Sequence, residues 1–311
     1  MRLASGRPGA YLILLAIGAA WGISAPMIKV ATGAGLAPLM IVFWQALIAS
    51  VVLGAVLLAT GQIRRMRWSG AHLRLYAAVG LLGMALPSIA SYSATRHLPS
   101  GVISIVISLV PVFALPLALG LGTERFQPRR LLGVASGAAA MALLMGPEAS
   151  LPDPAQWIWI PVAALAPLCY ALEGAVVYQS KAEEVGPFQM LWAGYLVSVM
   201  AALGLALFDG TALWPDQVLS VPVLAFVIAG LLGIGAYAGY LWLLRQTGAV
   251  FGAQVSYTVT GMGIVWAMLI LGERYSGWVW SALALLFLGL FLVQPRPRAP
   301  AANSGDAHVR A

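Results

Sequence analysis

The chain has 311 residues, of which 61% are hydrophobic and only 9% are charged. Average soluble domains carry roughly 25% charged residues, so a water-soluble fold of this length is excluded and lipid is the solvent for most of this surface. The formal net charge of +7 sits in short basic clusters between apolar runs, which marks membrane orientation and no nucleic-acid partner.

Apolar runs bounded by charge, Pro and Gly predict ten helical spans: 10–32, 37–60, 73–95, 99–122, 129–147, 157–180, 187–208, 221–244, 250–271 and 277–294. Runs of about 20 residues fit a hydrocarbon core of roughly 30 Å at 1.5 Å per residue. They lack the alternation of barrel strands. The opening "MRLASGRPGAYLILLAIGAAWGISA" imitates a secretory leader, but its apolar run continues to Thr32 and reads as the first span. The single Cys169 lies within an apolar run and reads as a small packing residue. The tail, residues 295–311, is rich in Pro, Ala and charge without an apolar period, and is expected to be disordered.

An even number of spans puts both termini on one side. With that side as the cytoplasm of an inner membrane, 14 of the 17 basic residues lie inside and only Lys29, Arg96 and Arg274 lie outside.

The two halves match at a constant offset of 149 residues. Trp21 falls on Tyr170, Pro38 on Pro187, Arg96 on Arg245, Glu124 on Glu273, Arg125 on Arg274 and Phe126 on Tyr275. "LGTERFQ" pairs with "ILGERYS", and "APLMIVFW" with "GPFQMLWA". The duplication splits near "GPEASLPDPAQ", giving repeats over 8–147 and 157–294. Five spans per copy make the second copy enter from the opposite side. An inverted repeat of this kind places a binding site near the midplane and permits alternating access, the signature of a transporter. The fold class expected is therefore all-α, with ten transmembrane helices in two inverted five-helix repeats.

"AAWGISAPMIKV" in the first span, the paired "LGTER" and "LGERY", and the layout of five plus five spans resemble the EamA family of the drug/metabolite transporter superfamily. The resemblance implies export of amino acids, amines or related metabolites, in several members by exchange with protons. It also implies a central cavity lined by spans 1, 3, 4, 6, 8 and 9, with spans 5 and 10 peripheral. Members of that family often carry Arg in the second span where this chain has Gln45.

Glu173, in "PLCYALEGAVVYQSK", is the deepest acidic residue. A carboxylate in hydrocarbon is costly unless paired, and intramembrane ionisable groups face a cavity or a partner. It reads as a group that binds a proton or a substrate amine and couples the two, against a purely structural carboxyl. The repeat sets Ser24 opposite it. Trp21, Tyr92, Tyr170 and Tyr257 are candidate aromatic contacts to substrate. Gln254 belongs to the polar stretch "GAQVSYTVTGMG" of the ninth span. Lys29 reads as a snorkelling residue or a substrate-carboxylate partner. Glu124, Arg125, Glu273 and Arg274 read as clasps between spans 4 and 5 and between spans 9 and 10. Pro26, Pro87, Pro111, Pro116 and Pro167 mark kinks. Gly18/Gly22, Gly133/Gly137 and Gly235/Gly239 fit close packing within the bundle or a homo-oligomer.

The expected ligands are a small-molecule substrate, bilayer lipid and a proton, with no cofactor or metal. A HExxH pair, two carboxylates in one site, and a buried His for serine chemistry are all missing, which argues against an enzyme. Filter loops and rings of like charge are missing too, against a channel. The remaining alternative is a carrier of the same fold for drug, lipid or nucleotide-sugar cargo. Phosphate cargo would call for central Lys or Arg, and the midplane holds none. No GxxxxGK[ST] loop points to ATP drive.

Overall fold

Inside hydrocarbon every backbone polar group must be satisfied within the chain, which leaves helices as the form for such apolar runs. A computed structural model describes residues 8–123, 126–145, 154–180, 185–247 and 254–293, and all regular structure among them is helical. The first run bends at Ile23 into α1 (Pro8–Gly22) and α2 (Ser24–Gly33), where Pro26 has no N–H for the Gly22 carbonyl. α3 (Pro38–Ala59) opens on a proline, whose missing N–H is harmless in a first turn. α4 (Gly70–Gly80) passes through a π segment, Leu81–Ala85, into α5 (Leu86–Thr95). Pro87 cannot donate to the Gly83 carbonyl, and the ladder widens so that the Leu86 N–H reaches back to Leu81.

The fourth run breaks at Ser108–Leu109, ahead of Pro111, into α6 (Ser100–Ile107) and α7 (Val110–Gly120). Then come α8 (Pro128–Met145), α9 (Trp159–Gln179), α10 (Pro187–Asp209), α11 (Val221–Thr247), α12 (Val255–Leu271) and α13 (Gly277–Val293). Among the described residues, seven stretches are long and apolar enough to cross a membrane: Pro8–Gly33, Pro38–Ala59, Gly70–Thr95, Ser100–Gly120, Ala155–Gln179, Pro187–Asp209 and Val221–Leu243. α12 and α13 are apolar but shorter, and α8 carries Arg129 and Arg130 in its first turn. The expected helices all form, while length and hydropathy single out seven of the ten.

Helix pairing is balanced between the halves. α3 packs on α10, and α8 on α13. α1 lies against α12 as α9 lies against α7, and α2 lies against α11 as α9 lies against α5. Small residues permit the closest contacts. A Cβ built on Gly133 would lie 2.8 Å from the Gly289 carbonyl oxygen, and one on Gly22 would lie 2.8 Å from the Gly263 nitrogen. Two of the three glycine pairs noted in the sequence thus serve contacts within this chain.

Two ends of the bundle are tied by side chains. At the N-terminal end, Gln189 Nε2 donates to the Gln62 carbonyl at 2.8 Å, while its Oε1 accepts from the Gly186 N–H, also at 2.8 Å. The opposite end gathers the α2–α3, α5–α6 and α12–α13 links.

Candidate functional site

A cavity of about 250 Å3 lies midway along the bundle. Trp21 and Ser24 reach it from either side of the first bend, Gln45, Ala46 and Ala49 from α3, and Gly83 and Met84 from the π segment. Ser88 and Tyr92 come from α5, Tyr170 from α9, Tyr195 and Ser198 from α10, and Gly230 and Gly233 from α11. A second space of about 110 Å3 shares Trp21, Tyr195 and Gly233 and continues past Leu53, Leu191 and Tyr237 toward the N-terminal end. The Trp21 ring lies 5.8 Å from Tyr240 and 6.3 Å from Tyr237.

Glu173 is half-buried on α9, one turn beyond Tyr170. Its carboxyl group lies against Gly83. A Cβ there would stand 2.5 Å from the carboxyl carbon and 2.7 Å from Oε2. Only a residue without a side chain leaves that space, and it sits in the π segment that lines the cavity. Among the described residues no side chain or backbone group hydrogen-bonds or ion-pairs with this carboxylate. Among the described residues the titratable groups that feel its charge are the Tyr170 and Tyr237 hydroxyls.

At the end of the cavity away from the N-terminal face, Tyr92 donates to Gln45 Oε1 at 2.7 Å. Gln45 Nε2 in turn donates to the Phe226 carbonyl at 2.8 Å. This relay ties α5, α3 and α11 across the cavity roof. The neutral amide at position 45 can accept and donate at once, which an arginine cannot do.

Lys29 stands outside the cavity. Its Nζ donates to the carbonyls of Thr95 at 2.8 Å, Leu98 at 3.0 Å and Arg96 at 3.2 Å, closing the end of α5. Arg96 answers by donating to the Leu36 carbonyl at 2.9 Å. His97 stacks on Trp159 with ring centres 3.9 Å apart. Burial, with the nearby Lys29 and Arg96 charges, holds its imidazole below the usual histidine range. Glu273 Oε1 accepts from the Ser100 N–H at 2.9 Å and the Ser100 hydroxyl at 3.0 Å, and Tyr275 donates to Oε2. Burial and the Glu273 carboxylate hold the Tyr275 hydroxyl above the usual tyrosine range.

The expected clasp between spans 9 and 10 is thus corrected: Glu273 caps the N-terminus of α6, where unpaired N–H groups attract an anion. Arg274 is exposed and makes no hydrogen bond among the described residues. Glu124 and Arg125 lie outside the described residues.

Of the candidate substrate contacts, Trp21, Ser24, Tyr92 and Tyr170 meet at the cavity, and Glu173 flanks it. Tyr257 does not line it; its ring packs 5.4 Å from Phe287 in the main core cluster. Gln254 sits at the N-cap position of α12 without a side-chain capping bond, away from the lining. The cavity also takes its walls from α3 and α10, where α6/α7 and α12 were expected. Polar residues of α12 bond to helices instead: Thr258 donates to the Val255 carbonyl at 2.9 Å, and Thr260 and Ser108 hydrogen-bond to each other.

Tyr195, Ser198 and Tyr237 were missed. The repeat offset carries a signal for two of them, since Ala46 and Ala49 fall on Tyr195 and Ser198 and all four line the cavity.

The model of the EamA-like transporter family matches the chain twice, over residues 8–146 and 157–294. The chain belongs to the EamA-like transporter family. The helical composition agrees, and the protein is a multi-pass membrane protein. A search of curated proteins finds no match. Among solved structures, a crystal structure described only as that of a protein superposes with a TM-score of 0.60 at 18% identity. The match covers 93% of this chain and 98% of that one, and at that identity it speaks to the fold alone. Within the EamA-like family the two matched stretches are the two repeats, and the cavity lies where they face each other.

Proposed function

We propose that this EamA-like protein is a secondary active transporter that exports small organic metabolites, with amino acids or related amines as the cargo class. The observation that carries this is the lining itself. Trp21 and Tyr170, Ala46 and Tyr195, Ala49 and Ser198, and Met84 and Gly233 are pairs 149 residues apart, and every pair lines the one cavity. A site built on equivalent positions of two repeats is the geometry that alternating access requires. The balanced helix pairing supports ten spans and an inverted repeat. The bias of 14 of 17 basic residues supports cytoplasmic termini in an inner membrane.

Glu173 is the coupling group in this reading. A proton or a substrate amine neutralises it, and each excludes the other. With the termini taken as cytoplasmic, the tie across the roof and the extension toward the N-terminal end support a site open to the cytoplasm.

The test is counterflow of labelled amino acids and amines in liposomes holding the purified protein, at mildly acidic and mildly alkaline pH. The wild type is expected to move some of the panel at pH-dependent rates, and Glu173→Gln to lose the dependence. An unchanged profile in the variant would make the carboxyl structural.

A further inference from the structure

We infer that the cavity selects a small organic ammonium ion whose skeleton bears no carboxylate, with the Glu173 carboxylate as its counter-ion. The inference deepens the transporter reading of the same site, and its binding arm stands independently of transport.

Charge decides the class. Among the described residues the cavity lining includes no Lys, Arg or His. Lys29, the basic residue that a substrate carboxylate could have met, is committed to three backbone carbonyls at the far end of α5. Gln45 is neutral, and its amide is used in both directions. Among the described residues the charge beside the lining is the Glu173 carboxylate, which rests against the lining residue Gly83 and has neither hydrogen bond nor ion pair there. A half-buried carboxylate without a partner is costly, and a bound cation removes that cost.

A zwitterionic amino acid would satisfy Glu173 with its ammonium group but carry its own carboxylate into a space without a cation. Neutral donors such as Ser24 would face it alone. An amine of the same skeleton avoids that penalty. The walls suit its remaining parts: the faces of Trp21 and Tyr170 attract cations and cover apolar carbon.

Size agrees. An engineered cavity of about 150 Å3 takes benzene, and drug-sized ligands use pockets of about 300–1,000 Å3. A space of about 250 Å3 falls between them and suits one ring, or one branched chain, with a short ammonium arm.

The experiment uses the full chain in nanodiscs and labelled phenethylamine, with phenylalanine as competitor. Isoamylamine and leucine form the aliphatic pair. Each amine is expected to bind at least about thirtyfold tighter than its amino acid, the size expected for an uncompensated buried charge. Glu173→Gln is expected to lose amine binding by a similar factor. Gly83→Ala keeps the carboxylate but puts a methyl group where it rests, and is expected to weaken amine binding as well. That second variant carries the test if Glu173→Gln does not fold.

Equal competition by the amino acids, or amine binding unchanged in both variants, overturns the inference. Selective amine binding without counterflow in liposomes supports the inference and overturns the transporter reading. Counterflow that does not prefer amines overturns the inference and supports transport.

Discussion

Single residues decide how the end of the bundle opposite the N-terminus holds. Lys29 closes α5 by donating to three carbonyls, and Glu273 opens α6 by accepting from Ser100 and Gly101. Together they fix the turn between those helices from both sides. Lys29→Met is expected to destabilise the protein by about 1.5–3 kcal/mol, the usual worth of hydrogen bonds to a charged group. Thermal unfolding in detergent checks this, and an unchanged midpoint would show that water serves those carbonyls equally well.

The place of Glu173 beside a cavity was legible in the sequence because a carboxylate amid apolar residues faces a cavity or a partner. The partners of Lys29, Glu273 and Gln45 were not. Lys29 meets only backbone carbonyls, and Glu273 and Gln45 each bond to backbone from a segment far along the chain, which leaves no mark in the order of side chains. Tyr257 was misjudged for a related reason: an aromatic ring within a span packs in a core as readily as it faces a cavity, and only the neighbouring Phe287 decides.

At the scale of helices the legible part was large. Lipid forces internal hydrogen bonding on every apolar run, so the runs became helices near their expected limits. The bends also had signals, since Pro26, Pro87 and Pro111 each lie a few residues beyond a break. Which helices line the cavity was not legible. Apolar helices are greasy all round, so the sequence carries little sense of which face turns inward. The contact of α8 with α13 illustrates what does carry information, because Gly133 and Gly289 bring two backbones together. Gly289→Val is expected to cost about 1–3 kcal/mol through overpacking without changing the oligomeric state. Unfolding and light scattering in detergent measure both. A variant of unchanged stability would disprove the close contact, and a change of assembly would place this glycine between chains.

For the whole molecule, the duplication determines most of the architecture but not its chemistry. Equivalent positions of the two halves meet at one cavity, yet they differ in kind. Trp21 matches Tyr170 at the repeat offset, and Ser24 stands in the place of Glu173. The charge therefore belongs to one half alone. On the proposed reading, a lone carboxylate that holds either a proton or an ammonium ion trades one positive charge for another in each cycle. Such an exchange is electrically silent. Flux in liposomes is then expected to follow an imposed pH gradient and to ignore a potassium diffusion potential. A voltage-dependent rate would mean that a second charge travels with the cargo.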